Sequence, residues 1–126
     1  MTDDWKAWID EDPRLTRRGN RVIVRFDPHP VRGRRKHEVE VISHEFGWEL
    51  SSCSTPQAVD DLSGSEAWLR NRTMNVAYFV ITEEGMWVSA WVPGAGATPD
   101  EFLYVLGQVA AEADRFEFLS TGGDTL

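Results

Sequence analysis

The sequence is short of cysteine, of basic charge and of long apolar runs, and each shortage excludes something. Its single cysteine, Cys53, cannot close an internal disulfide or supply the paired thiols of a metal or redox site, which fits a reducing compartment. Lys and Arg number 13 against 21 Asp and Glu, for a net charge of -8. Generic nucleic-acid binding rests on neutralising phosphates with basic side chains, so nucleic acid is not an expected partner. No apolar run approaches the ~20 residues of a membrane span, and the acidic opening MTDDWKAWIDEDP lacks the basic-then-apolar order of a secretory signal. The expectation is a cytoplasmic protein without a membrane partner. Histidine is scarce too: His29, His37 and His44 are the only nitrogen ligands, and their spacing matches no helical zinc pair or tight ligand hairpin. They are expected at the surface, with no metal and no other cofactor.

What is present organises itself around one helix. Over Thr98 to Phe118, TPDEFLYVLGQVAAEADRFEF, start, period and stop agree. Thr98 caps, Pro99 fits the first turn and Glu101 completes a capping box. Phe102, Val105, Leu106, Val109, Ala110, Ala113 and Phe116 form an apolar stripe, with Asp100, Gln108, Glu112 and Arg115 mostly outside it. Such a stripe needs a sheet to lie on, and 126 residues are enough for one domain with a real core.

The alternating runs upstream supply that sheet. A short first helix, capped by Thr2, sets Trp5, Trp8 and Ile9 on one face before Asp12-Pro13 stops it, and the basic stretch Arg14 to Asn20 reads as a connection. Val22, Val24 and Phe26 alternate with Arg21, Ile23 and Arg25 in a first strand. Asp27 to Arg35, with two prolines and a glycine, reads as a loop, and Lys36 to Ser43 as a second strand with Val39 and Val41 inward and Glu38 and Glu40 outward. In the third strand Phe46, Trp48 and Leu50 alternate with Gly47, Glu49 and Ser51. Ser54 or Thr55 with Pro56 starts a second helix with Val59, Leu62, Trp68 and Leu69 on its buried face, weakened at Gly64. Val76 to Ile81, VAYFVI, is apolar on both faces and reads as a central strand; TEEG then turns into MWVSAWV, whose Met86, Val88, Ala90 and Val92 alternate with Trp87, Ser89 and Trp91. The expected architecture is α+β: an antiparallel sheet of about five strands with helices packed on it, in the order α-β-β-β-α-β-β-α, as a single domain over residues 1–126.

No catalytic constellation emerges. Cys53 and His44 stand at opposite ends of a strand, the carboxylate pairs Asp60-Asp61 and Glu83-Glu84 read as solvated, and Gly94-Ala95-Gly96 lacks the phosphate-binding lysine of a P-loop. Two features have more claim to function. The basic loop Arg32-Gly33-Arg34-Arg35-Lys36 stands out in an acidic chain, either as a solvated hairpin tip or as a contact for an acidic partner. Trp87 and Trp91 share the strand face opposite Met86 and Val88, so either another helix covers them or, with Trp48, they line an interaction surface.

From about Trp68 to Asp124 the chain resembles the YbjN-like proteins: the strand VAYFVI, the turn Glu84-Gly85, a second strand, TPDEF, the run Ala110-Ala111-Glu112-Ala113-Asp114-Arg115-Phe116-Glu117 and a closing TGGD. The element order is also similar to the type III secretion chaperone fold with which those proteins are grouped. The resemblance implies a non-enzymatic protein-binding module, a chaperone, adaptor or regulator of a client protein, often a homodimer. It carries no catalytic residue over, so Asp114, Arg115 and Glu117 enter as motif positions, whose plainer role is a charge pair or cap near the helix end. Competing expectations are a ligand sensor or enzyme with an aromatic-lined pocket and one of His37, His44 or Cys53 at its mouth, and a structural subunit of a permanent assembly.

Overall fold

The computed structural model describes residues 3–29, 33–55, 77–83 and 85–120, with side chains described over 3–26, 35–53, 77–83 and 85–115. The fold is α+β. Helix α1 spans Asp4–Asp10, followed by β1 Leu15–Arg18, β2 Arg21–His29, β3 Gly33–Ser43, β4 Gly47–Thr55, β5 Tyr78–Thr82, β6 Gly85–Pro93 and α2 Pro99–Ser120. All neighbouring strands are antiparallel, in the spatial order β1-β2-β3-β4-β6-β5. The second helix expected after Pro56 lies outside the described residues.

One face of the sheet carries the core. Val22, Val39, Val41, Trp48, Leu50, Met86, Val88, Ala90 and Val92 are buried there against Trp5 and Ile9 of α1 and Phe102, Leu106, Val109, Ala110 and Ala113 of α2. The register explains the set, since Val22 pairs with Val39, Val41 with Leu50, and Leu50 with Ala90, so a row of apolar side chains crosses from β2 to β6. The start of α2 follows its capping chemistry: the Glu101 N–H donates to Thr98 Oγ1 at 3.2 Å and the Phe102 N–H to the Thr98 carbonyl at 3.0 Å. The N-cap of α1 is Asp3, whose side chain makes no capping bond. That helix is held by its rings instead. Trp5 stacks on Phe102 at 5.9 Å, and Trp8 meets Trp48 and Phe102 edge-on at 6.0 and 5.6 Å.

Three expectations change. The stretch from Arg14 to Asn20 contains a sixth strand, because Gly19, at φ 61°, closes a two-residue turn that pairs Arg18 with Arg21. Two of its polar residues have partners: Arg17 bonds Asp10 of α1 at 2.8 and 2.9 Å, and Thr16 accepts from Arg25 at 2.9 Å. The loop expected over Asp27 to Arg35 is mostly strand, since β2 continues to His29 and β3 begins at Gly33, with a register shift between Phe26 and His29 that accommodates Pro28. And β5, expected in the centre of the sheet, comes last in the strand order, beside β6 alone among the described residues.

Candidate functional site

The face of the sheet turned away from α1 and α2 divides into two halves. Over β1, β2 and β3 it is a ladder of charge: Arg21 bonds Glu38 at 2.9 Å and lies 3.7 Å from Glu40, with Arg25 and Lys36 alongside. Over β4, β6 and β5 it is nearly neutral. Cross-strand register sets Cys53 beside Trp87 and Trp87 beside Val80, Ser51 beside Ser89 and Ser89 beside Tyr78, and Glu49 beside Trp91. Ser51 Oγ and Ser89 Oγ bond each other at 3.0 Å, so the hydroxyls between the two tryptophans are partnered within the sheet. The result is a serine floor with an indole at either end.

Trp91 is 45% exposed and Trp87 half-buried. The position of Trp91 depends on a glycine: a Cβ at Gly47 would come within 2.8 Å of the indole ring and would also meet the Val92 carbonyl oxygen. Only the missing side chain leaves room for the ring there. His44 lies beside it as well, its ring centroid 5.5 Å from that of Trp91 and its Nε2 3.1 Å from Glu49 Oε1. The turn between β3 and β4 lifts Phe46 to 75% exposure while its carbonyl accepts the Gly94 N–H at 2.9 Å, so this knob is anchored through its backbone. Phe46, Trp91 and Tyr78 are thus apolar rings presented by ordered strands and turns.

Trp48 does not belong to that surface. It is 2% exposed and packs edge-on against Phe102 at 5.4 Å, because its strand parity with Leu50 turns it toward the helices. The basic loop is also different from its sequence reading where it is described. Arg35 lies on the helix side of β3, opposite Phe26, and its guanidinium pairs with the buried Asp114 carboxylate of α2 and sits 5.3 Å from the centre of the Phe26 ring. It is engaged within the chain instead of being offered to an acidic partner. The side chains of Arg32 and Arg34 lie outside the described residues, as does that of Glu117, while Arg115 is exposed.

His37, expected at the surface, is buried between Phe26, 6.3 Å away ring to ring, and Asp114, whose Oδ1 is 3.6 Å from its Nε2. The signal was available in the sequence: Val39 and Val41 face inward, so His37 and Arg35 must too. Asp114, next to the stripe residue Ala113, is the acidic group they converge on. The structure does not bring His37, His44 and Cys53 together; they occupy the core side of β3, the end of β3 and the outer face of β4. A shallow depression of about 400 Å³ between α1 and α2, lined by Trp8, Pro13, Arg14, Pro99 and Leu103, includes none of them. Among the described residues no group of three or more His, Cys, Asp or Glu is placed to hold a metal ion, and no helix is long and apolar enough to cross a membrane. Compared with protein-family models and with curated proteins, the chain matches none.

Proposed function

We propose that this chain is a cytoplasmic protein-binding module, non-enzymatic and of YbjN-like or secretion-chaperone type, that holds a client segment on the neutral strip of its outer face. The observation that carries the reading is the pairing of Trp91, 45% exposed, with Trp87 across a floor of hydrogen-bonded serines on a strip whose only charge among the described residues is Glu49 at the side. Burying what remains exposed of Trp91 contributes roughly 2 to 3 kcal/mol, and the half-buried Trp87 adds a smaller share. The strip is three strands wide, ~14 Å, and about five residues long, ~17 Å. That footprint is well below the ~800 Å² per partner of a standard globular interface, so the occupant is one extended or helical segment. Its chemistry follows from the setting: apolar side chains to meet the indoles, and basic flanks to suit a protein of net charge -8.

The experiment is capture of the tagged chain's partner from its own cells, followed by titration of the purified partner against the native chain and a Trp87→Ala/Trp91→Ala double variant. Tenfold or greater weakening in the double variant, with unchanged circular dichroism, supports the strip as the site. Undiminished binding by a natively folded double variant removes it. A partner that survives extensive dilution would shift the reading to a permanent structural subunit.

A further inference from the structure

The depression between α1 and α2 lies in the helix layer, on the opposite side of the sheet from the outer strip, and its walls are of a different kind. Trp8 and Leu103 line it from the two helices, Pro13 from just beyond the end of α1 and Pro99 from the start of α2. Two prolines and an indole make stiff walls that have little freedom to lose when a ligand settles between them. Two carboxylates and one guanidinium complete the lining, and they are not equivalent. Asp12 accepts from the Arg14 backbone N–H at 2.9 Å and from its guanidinium at 2.9 and 3.1 Å, so these two charges answer each other. Arg17, the next basic group along the chain, is bound to Asp10. Glu11 has no basic partner among the described residues; it is exposed, one helical turn beyond Trp8, so the two share a side of α1. The lining therefore carries one uncompensated negative charge. Asp100 and Glu101, exposed in the first turn of α2 next to Pro99, add to the field.

We propose that this depression takes the arginine side chain of a basic protein segment, its methylene stem packed among Pro13, Pro99 and Leu103 and its guanidinium lying against Trp8 and donating to the Glu11 carboxylate. The chemistry of the walls selects that occupant. An apolar side chain would suit the prolines and the ring but would strip water from Glu11 without replacing its hydrogen bonds. An anion would be repelled by Glu11, Asp100 and Glu101. A cation on an apolar stem meets both demands. Among cationic side chains the guanidinium is the weakly hydrated one that stacks on an aromatic ring and offers two parallel N–H donors to a carboxylate. A space of about 400 Å³ is at the small end of ligand sites, which suits one long side chain and not a packed element. The net charge of -8 draws basic segments toward the chain in the same sense. No residue is shared with the outer strip, so the inference stands whether or not a client binds there.

Nuclear magnetic resonance titration of the full chain with an end-blocked glycine-arginine-glycine peptide tests it, read at the Trp8 indole N–H, a signal that Trp8→Phe identifies by its disappearance. The expected result is a saturable shift of that signal, absent with the same peptide carrying citrulline, which keeps the shape of arginine without its charge. Glu11→Gln, its fold verified by circular dichroism, should weaken binding roughly threefold or more. Glu40→Gln, which removes the same charge from the opposite face of the sheet, should not. Added salt should weaken the native chain more than it weakens Glu11→Gln. The Trp87→Ala/Trp91→Ala variant should bind the peptide as the native chain does, which separates this site from the outer strip. No shift at the Trp8 indole, an equal shift with the citrulline peptide, or equal binding by Glu11→Gln and Glu40→Gln overturns the assignment.

Discussion

Asp114 shows how far a single residue can be read. It stands at a motif position in the C-terminal third of α2, where a charge pair is the natural expectation. The pairing residue, however, is 79 positions away, and only the sheet register reveals that Arg35, opposite Phe26, shares a face with His37 and points at α2. Removing one member of a buried pair takes from the other its nearest opposite charge, at a cost of about 3 kcal/mol or more. Asp114→Ala should therefore be among the more destabilising substitutions in the chain, measured by urea midpoint at neutral pH. Adding Arg35→Met to it should recover part of the loss, because the charge facing the truncated site goes and an apolar chain takes its place beside Phe26. A double variant as unstable as the sum of the two singles would mean that the pair is not coupled.

Elements were legible where their own residues decide their fate, and illegible where a neighbour does. Helix α2 carries its cap, stripe and length locally, and the alternation of β2, β3, β4 and β6 gives their inward residues directly. β1 and the placement of β5 were not legible, for one reason. A basic four-residue strand exists because Gly19 folds it back onto β2, and a two-sided apolar strand says that it needs two neighbours but not where they come from. Helix α1 is an intermediate case, marginal alone at seven residues, and fixed by Trp5, Trp8 and the Asp10–Arg17 bond. That bond makes a pH prediction. The Arg17 hydrogen bond holds the Asp10 carboxyl below its ordinary value of 3.8. A depressed carboxyl stabilises the fold above its unfolded value, and that contribution is lost as pH falls through the lower folded one. Hydrogen exchange of the α1 amides should stay slow down to the region below pH 3.8 and then accelerate. In Arg17→Ala the acceleration should begin at higher pH. Identical acid profiles would show that the bond does not hold the helix.

Across the whole molecule, the same residue type serves two purposes according to which face of one sheet it occupies. Trp48 and Trp91 sit on adjacent antiparallel strands, one residue out of register with each other, Trp48 being paired with Val92 and Trp91 with Glu49. That single step sends Trp48 into the ring cluster of Trp5, Trp8 and Phe102 and Trp91 to the outer strip. Period-two alternation predicts that tryptophans of opposite parity part company, but not which face has helices on it; the helices were legible, their side of the sheet was not. If the outer face is held open for a client, its ring contributes little to folding. Trp48→Ala should cost about 3 to 5 kcal/mol, as for other large rings removed from a core, and Trp91→Ala within about 0.5 kcal/mol, as for surface substitutions. Paired urea denaturation curves of the two variants against the native chain measure both. Equal costs would mean that Trp91 is structural like Trp48, and the outer strip would then lose its standing as a docking surface. A large difference leaves an apolar ring that the fold does not need, on a strip that carries almost no charge, in a chain whose net charge is -8.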